Sequence, residues 1–410
     1  MKRILVLISV FFWFFSYNVN AIYSGSEIYN KAERSFAWAN ENIAPLGNTD
    51  SIASDYCVIA LKRAGKTFDF KKYANITKSK TPLTVQDAHR IIMTNTAAGG
   101  KLSESYIAAN TYNNTYLSTQ DIATSLLAIF SGEYEVKSDI INTNILTVQL
   151  LEKQNADGSF DSDVLTTAKC MLALSFMSGK CYVVKGENIG EKYEYDVNAA
   201  LLRGANYLQN KKESDFGFGS TTKTAFVIMA LDAVGIDADN DPGFTDGEKS
   251  TISALFKNCA EDGSFENDKD STAIALCAMV SHLRAMQGNS PFFSLRTEDM
   301  PYNPNDYVED FNYSGEGLAI ETQDKIQLSV SEIKIQPDLT ATPHAITTPV
   351  PTEYEPCISG RKEQGRLNVI TIIIIIAVVV VLITAIIVFF NFVKPKRKFH
   401  SKKSEEDEDN

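Results

Sequence analysis

Positive charge is scarce in this chain. Its 39 Lys and Arg are outnumbered by 51 Asp and Glu, for a formal net charge of −12. Such a balance excludes nucleic acid as a partner of the main body. Histidine is scarcer still, with four in all, and no Cys-x-x-Cys pair or His–Cys cluster occurs. The usual signatures of a zinc site are therefore missing. Only two tryptophans are present, and Trp13 lies in the leader, which leaves Trp38 in the mature chain. Cysteine is limited to Cys57, Cys170, Cys181, Cys259, Cys277 and Cys357. An oxidising compartment would permit 15 complete pairings of six cysteines. Cys57, Cys170 and Cys277 fall in apolar segments, where a free buried thiol fits equally well. Cys357 follows a Pro/Thr-rich stretch and precedes a long hydrophobic run, where pairing between chains is the expectation.

What the chain does have is two long hydrophobic runs. Met1 to Ala21 reads as a secretory signal: Lys2-Arg3, an apolar stretch from Ile4 to Phe15, and Ala21 following Val19. Residues 369–390 are almost unbroken Ile, Val, Leu, Ala and Phe, long enough for one transmembrane helix and without a polar face. Lys394, Lys396, Arg397, Lys398, Lys402 and Lys403 follow immediately. The positive-inside bias puts the basic-then-acidic tail, 391–410, in the cytoplasm and residues 22–368 outside or in a lumen. This is a type I single-pass topology. The acidic end reads as a solvated tail or as a sorting signal. Asn75, Asn113 and Asn312 open glycosylation sequons on the predicted outer side.

A repeat organises the region between. Residues 151–177 read as a helix end, the turn Asn155-Ala156-Asp157-Gly158, the aromatic Phe160, and a second helix opening near Thr166-Thr167-Ala168. Residues 257–280 repeat it: Asp262-Gly263-Ser264-Phe265, then Asp270-Ser271-Thr272-Ala273. Residues 209–232 hold a looser copy. A spacing of roughly 50 residues is the period of a two-helix hairpin array.

Propensity and periodicity predict about twelve helices in six hairpins. The pairs are Glu27–Ile43 with a helix that Ser54 would cap, Phe68–Ile76 with Val85–Thr94, and Ser103–Asn110 with one from Thr119. Then come Asp139–Gln154 with Val164–Met177, Val197–Asn210 with Thr222–Val234, and Glu248–Asn258 with Ser271–His282. The first helix of each pair is amphipathic and the second apolar almost all round, hence buried on every face. Such alternation predicts a closed double ring. An open solenoid would need polar caps at its ends. After His282 the chain turns rich in Pro, Asn and Thr. Lys325–Gln336 alternates and could form one strand. The expected organisation is a signal peptide (1–21), an all-α ectodomain (22–290), a Pro/Thr-rich stalk (291–368), the span (369–390) and the tail (391–410).

Gln154…Gly158-Ser159-Phe160 resembles the glutamine–glycine–aromatic repeat of the terpenoid cyclase and protein prenyltransferase superfamily, with phenylalanine for its usual tryptophan. Ser54-Asp55-Tyr56…Ala64-Gly65 and Leu231-Asp232-Ala233-Val234-Gly235 resemble the non-enzymatic branch that includes the cobalamin carriers transcobalamin and intrinsic factor. The resemblance implies an α6/α6 toroid, here with a single transmembrane helix added. The cyclases' DxDD acid, the transferases' Asp–Cys–His zinc set and the Cys-Gly-Glu-Gln thioester of complement-type members are all absent from the sequence. Aromatics on the inner helices are scattered: Tyr56, Phe130, Phe176 and Phe226. We therefore expect no enzyme activity, with a diverged cyclase or transferase as the alternative.

In this fold ligands enter near the starts of the inner helices. The residues placed there are Tyr56, Asp121, Asp163, Thr166, Thr224, Asp270 and Thr272. The resemblance implies a small-molecule ligand such as a corrinoid. A protein partner recognised on a rigid platform is the other expectation. Asp, Ser and Thr at helix starts also serve as plain caps. One loop places oxygens at calcium spacing: Asp237, Asp239, Asp241, Thr245 and Glu248, with Pro242 where an EF-hand needs glycine.

Overall fold

The computed structural model describes residues 22–43, 51–111, 118–136, 142–186, 188–296 and 324–329. Contacts divide the chain into Met1–Cys357 and Ile358–Asn410, and every described residue belongs to the first unit. The signal peptide, most of the stalk, the span, the tail, Asn113, Asn312 and Cys357 lie outside the described residues. Among the described residues no helix is long and apolar enough to cross a membrane.

Twelve helices are described. Six form an inner set: α2 (Ile52–Arg63), α4 (Val85–Ala97), α6 (Thr119–Ser131), α8 (Val164–Ser175), α10 (Thr221–Ala233) and α12 (Lys269–Met286). The other six alternate with them: α1 (Gly25–Asn42), α3 (Phe70–Lys78), α5 (Glu104–Thr111), α7 (Thr143–Glu152), α9 (Val197–Lys211) and α11 (Thr251–Phe256). Inner helices touch in the order α2, α4, α6, α8, α10, α12, and α12 returns to α2. The inner ring is closed. Around it α1 packs on α12, α3 on α4, α5 on α4 and α6, α7 on α6, α9 on α8, and α11 on α10.

Helices α6, α8, α10 and α12 of the inner ring are buried on nearly every face and carry many small residues. Ala123, Ala128, Ala168, Ala173, Ala225, Ala230, Ala273, Ala275 and Ala278 are fully buried. Leu126, Met171, Ile228 and Leu276 fill the space between them. A helix apolar on all sides has no stable place except inside. Inner-helix starts are fixed by side-chain caps: Ser51, Thr84, Ser118, Asp163, Ser220 and Asp268 each accept a backbone N–H of the first turn. Ser51, not Ser54, caps α2; Ser54 is buried one turn inside.

The region 22–329 is not purely helical among its described residues. Between α8 and α9 lie β1 (Lys180–Lys185) and β2 (Lys192–Asp196), and β3 (Asp324–Ser329) joins them from far along the chain. β1 is central, antiparallel to β2 with Cys181 opposite Asp196, and parallel to β3 with Lys180 opposite Asp324. The predicted strand at Lys325–Gln336 is thus described as far as Ser329. The β1–β2 pair escapes a periodicity search because Cys181 to Val184 are all buried, so no in–out alternation exists to see. The predicted helix from Glu248 is cut to Thr251–Phe256, because Asp246-Gly247 turns the chain and Ser250 starts the helix later. Cys57, Cys170, Cys259 and Cys277 are free, while Cys181 is disulfide-bonded.

Candidate functional site

At the ends where the inner helices begin, the repeated turn has a structural task. Gln154 Nε2 donates to the carbonyls of Gly158 (3.0 Å) and Ala200 (2.8 Å), and its Oε1 accepts from Arg203 Nη2 at 2.7 Å. Gly158 has φ 89°, and a Cβ there would overlap the Arg203 carbonyl. The turn after α7 is thereby pressed onto α9. The second copy does the same to α1: a Cβ on Gly263 would overlap the backbone at Arg34–Ser35, and Ser35 Oγ donates to the Gly263 carbonyl at 2.7 Å. The turn of the last hairpin thus docks on the first helix of the chain. The looser copy docks on α11, with Lys257 Nζ 2.8 Å from Asp215.

The threonines belong to this staple. Thr167, Thr272 and Thr224 Oγ1 accept the backbone N–H of Phe160 (2.9 Å), Phe265 (2.9 Å) and Phe218 (3.1 Å). Thr224 and Thr272 are buried. Thr166 donates its hydroxyl to Asp163 at 2.9 Å, and Asp163 caps α8. Phase alone identifies the stapling threonine as Thr167, seven residues after Phe160 as Thr272 is after Phe265. Asp121 is also a capping group, accepting from Ser118 Oγ (2.7 Å) and Gln86 Nε2 (3.2 Å). Asp270 sits half-buried in the first turn of α12.

Tyr56 is the predicted residue that meets other ring-end groups. Its ring stands edge-on to Phe226 at 6.2 Å, and Lys169 Nζ lies 5.2 Å over the same Phe226 ring. Burial pushes the Lys169 ammonium down to about 8, against the pull of Asp163 and Asp121. Nearby, fully buried Asp55 accepts from Tyr73 Oη (2.8 Å), Lys80 Nζ (2.9 Å) and Arg90 Nε (2.8 Å). It ties the first two hairpins together.

The carboxylates of the loop with calcium spacing are bonded within the chain. Asp237 Oδ1 accepts the N–H groups of Asp239 (2.8 Å) and Asn240 (3.1 Å), and Asp241 Oδ1 that of Gly243 (2.7 Å). Asp239 is buried and accepts from Ser250 Oγ and from the N–H of Tyr23. Glu248 is exposed. Among the described residues no group of three or more His, Cys, Asp or Glu is placed to hold a metal ion. The loop also contributes to an ionic cluster. Fully buried His282 lies 2.8 Å from Asp232 through Nδ1 and 3.7 Å from Asp237 through Nε2. Burial opposes its charge, but Asp232, Asp237 and Asp239 together raise it to about 9. His89 is equally buried, donates from Nε2 to the Asn110 carbonyl at 2.8 Å, and is lowered to about 4 by that burial.

The cavities lie at the other ends of the inner helices. One of about 550 Å³ opens where α6 and α8 finish. Phe130 and Phe176, far apart in sequence, stack there at 5.5 Å with planes 20° apart. Tyr134, Glu133 and Glu135 form another wall, with Asn142 and Thr143 of α7 beside them. A second cavity of about 260 Å³ shares Glu133, Tyr134 and Glu135 and adds Glu104 and Arg296. Arg296 lies over the Tyr134 ring at 5.4 Å and donates from Nε to the Gly132 carbonyl at 3.0 Å.

No family model matches this chain. No curated protein matches it either. Among solved structures, ent-copalyl diphosphate synthase from Streptomyces platensis is similar, with a TM-score of 0.37 and 17% identity. The match covers 59% of this chain and 50% of that one, so the chain spans half the length of the enzyme. Neither fold, site nor activity is carried over from that enzyme to this chain.

None of the residues predicted to bind a ligand lines either cavity. Phe130 and Phe176 are visible in the sequence as isolated aromatics on inner helices, but nothing local shows that they stack. The signal available is that both fall at the last turn of consecutive inner helices.

Proposed function

We propose that this chain is a single-pass type I membrane glycoprotein whose helical double ring, an α/α toroid, is a non-catalytic ligand-binding ectodomain. The observation that carries the reading is the cavity of about 550 Å³ at the α6–α8 end. Its size suits a small molecule, and it combines apolar faces with a few polar groups. The topology rests on the leader, the 369–390 run and the basic residues after it. Asn75 is exposed on α3 and available to a glycan.

The non-catalytic part of the proposal has two supports. The sequence holds no DxDD acid and no Cys-Gly-Glu-Gln thioester. The polar groups at the inner-helix starts are already bonded as caps and staples. That commitment also moves the ligand away from Asp121, Asp163, Thr166, Thr224 and Thr272, and with it the case for a corrinoid at that mouth. Expression of the full chain with a C-terminal tag in a glycosylating host tests the reading. The expected result is glycosidase-sensitive protein that Asn75→Gln shifts in mass, a tag protected on intact cells, and a small-molecule adduct in native mass spectra of the solubilised chain. An exposed tag would overturn the topology, and adduct-free spectra from producing cells would overturn the ligand reading.

A further inference from the structure

We infer that the cavity between the ends of α6 and α8 is a site for a small organic cation, an ammonium or quaternary ammonium head. The inference deepens the ligand-binding reading and rests on it. Three ring systems border the space: the stacked pair Phe130–Phe176 and Tyr134. Aromatic faces carry negative charge density and attract cations that have shed water. The carboxylate of Glu133 stands on the same wall, and among the described residues no Lys, Arg or His lines the cavity.

The molecule supplies its own precedent. Glu133, Tyr134 and Glu135 separate the two cavities, and on the smaller side the guanidinium of Arg296 lies 5.4 Å over the Tyr134 ring. The wall therefore receives a cation from this chain on one side. The larger side offers Glu133 and Tyr134 with two more rings. Helix electrostatics agree. α6 and α8 end at this cavity, and the C-terminal end of a helix dipole carries partial negative charge. α7 begins there, but Asn142 takes up one of its free N–H groups, that of Ile145, at 3.0 Å.

The placement of Glu133 runs against two local preferences. It follows α6 directly, where a negative side chain is unfavourable. Its φ is 50°, a left-handed conformation that glycine would adopt without strain. A bound cation would give a reason for both.

Calorimetric titration of the full chain in maltoside micelles tests this, with choline and its neutral carbon isostere 3,3-dimethylbutan-1-ol as probes. Choline is expected to bind about tenfold more tightly than the alcohol, the ratio a desolvated cation–aromatic contact supplies. Glu133→Gln should weaken choline about fivefold and leave the alcohol unchanged, as one charge interaction of about 1 kcal/mol implies. Glu133→Gly guards against misfolding: it should raise Tm while losing choline affinity. Equal affinity for the two probes would overturn the cation assignment but keep the cavity as a ligand site. Binding of neither, while native spectra still show an adduct, would overturn this inference and spare the ectodomain reading.

Discussion

The two ends of the double ring use similar residues for different purposes. Where the inner helices begin, nearly every polar group is bonded to the chain itself. Asp163 and Ser118 cap, Thr167, Thr224 and Thr272 hold the backbone of an aromatic, and Gln154 joins α7 to α9. Where the inner helices end, the treatment varies around the ring. Between α10 and α12, His282 is held among Asp232, Asp237 and Asp239. Between α2 and α12, buried Arg63 and Arg284 both reach Ser290. Between α6 and α8 there is a cavity instead. A ring of repeated hairpins thus has one end held by repeated staples and one end where the α6–α8 sector holds a cavity. Repetition builds the first, and departure from repetition marks the second.

The largest effect expected from breaking this pattern is at His282. His282→Leu leaves buried carboxylates without their cation and should cost about 3–5 kcal/mol in chemical denaturation, the usual result of removing one partner of a buried pair. A variant within 1 kcal/mol of the parent would show that the cluster is not ionic.

The two buried histidines sharpen the contrast through pH. His282 is raised, so its contribution is complete below the ordinary histidine value and is lost as pH climbs through about 9. Asp232 and Asp239 are themselves raised by burial. His89 is lowered, so its contribution is present above the ordinary value and is lost as pH falls toward about 4. Melting curves across pH should therefore lose their alkaline limb in His282→Gln and soften their acid limb in His89→Gln. Identical profiles for both variants would contradict the opposite assignments.

Smaller effects separate staple from turn. Gly158→Ala must displace the Arg203 carbonyl and should lower stability by about 3 kcal/mol, within the range for strain at a special backbone position. Gly247→Ala has a similar φ of 87° but open space, and should lose only about 1 kcal/mol. Equal losses would mean that docking adds nothing to the turn. Thr272→Val removes one backbone partner and should cost about 1–2 kcal/mol while leaving choline titration unchanged.

The structural end is the more legible in sequence. Asp-Gly turns, a following aromatic and a Thr-Ala start recur in phase, and each element is a local signal. They announce the hairpins and the ring closure, because the last copy docks on Arg34–Ser35 as the earlier one docks on Arg203. The same signals mislead about function, since Asp and Thr at helix starts look alike whether they cap or bind. The open sector is much less legible. Phe130 and Phe176 are 46 residues apart in the chain (176 − 130). Their stacking, and the place of Glu133 beside them, depend on how two hairpins meet. The β1–β2 pair is missed for a related reason, as a strand buried along its length lacks alternation.

The most direct test of the contrast is hydrogen-exchange mass spectrometry on the full chain with and without saturating choline. The account predicts slowed exchange in peptides covering residues 129–136 and 142–146, with no change at residues 53–57, 119–124 or 164–170. Protection at the inner-helix starts, with none at residues 129–136, would contradict it and return the ligand to the opposite end of the ring.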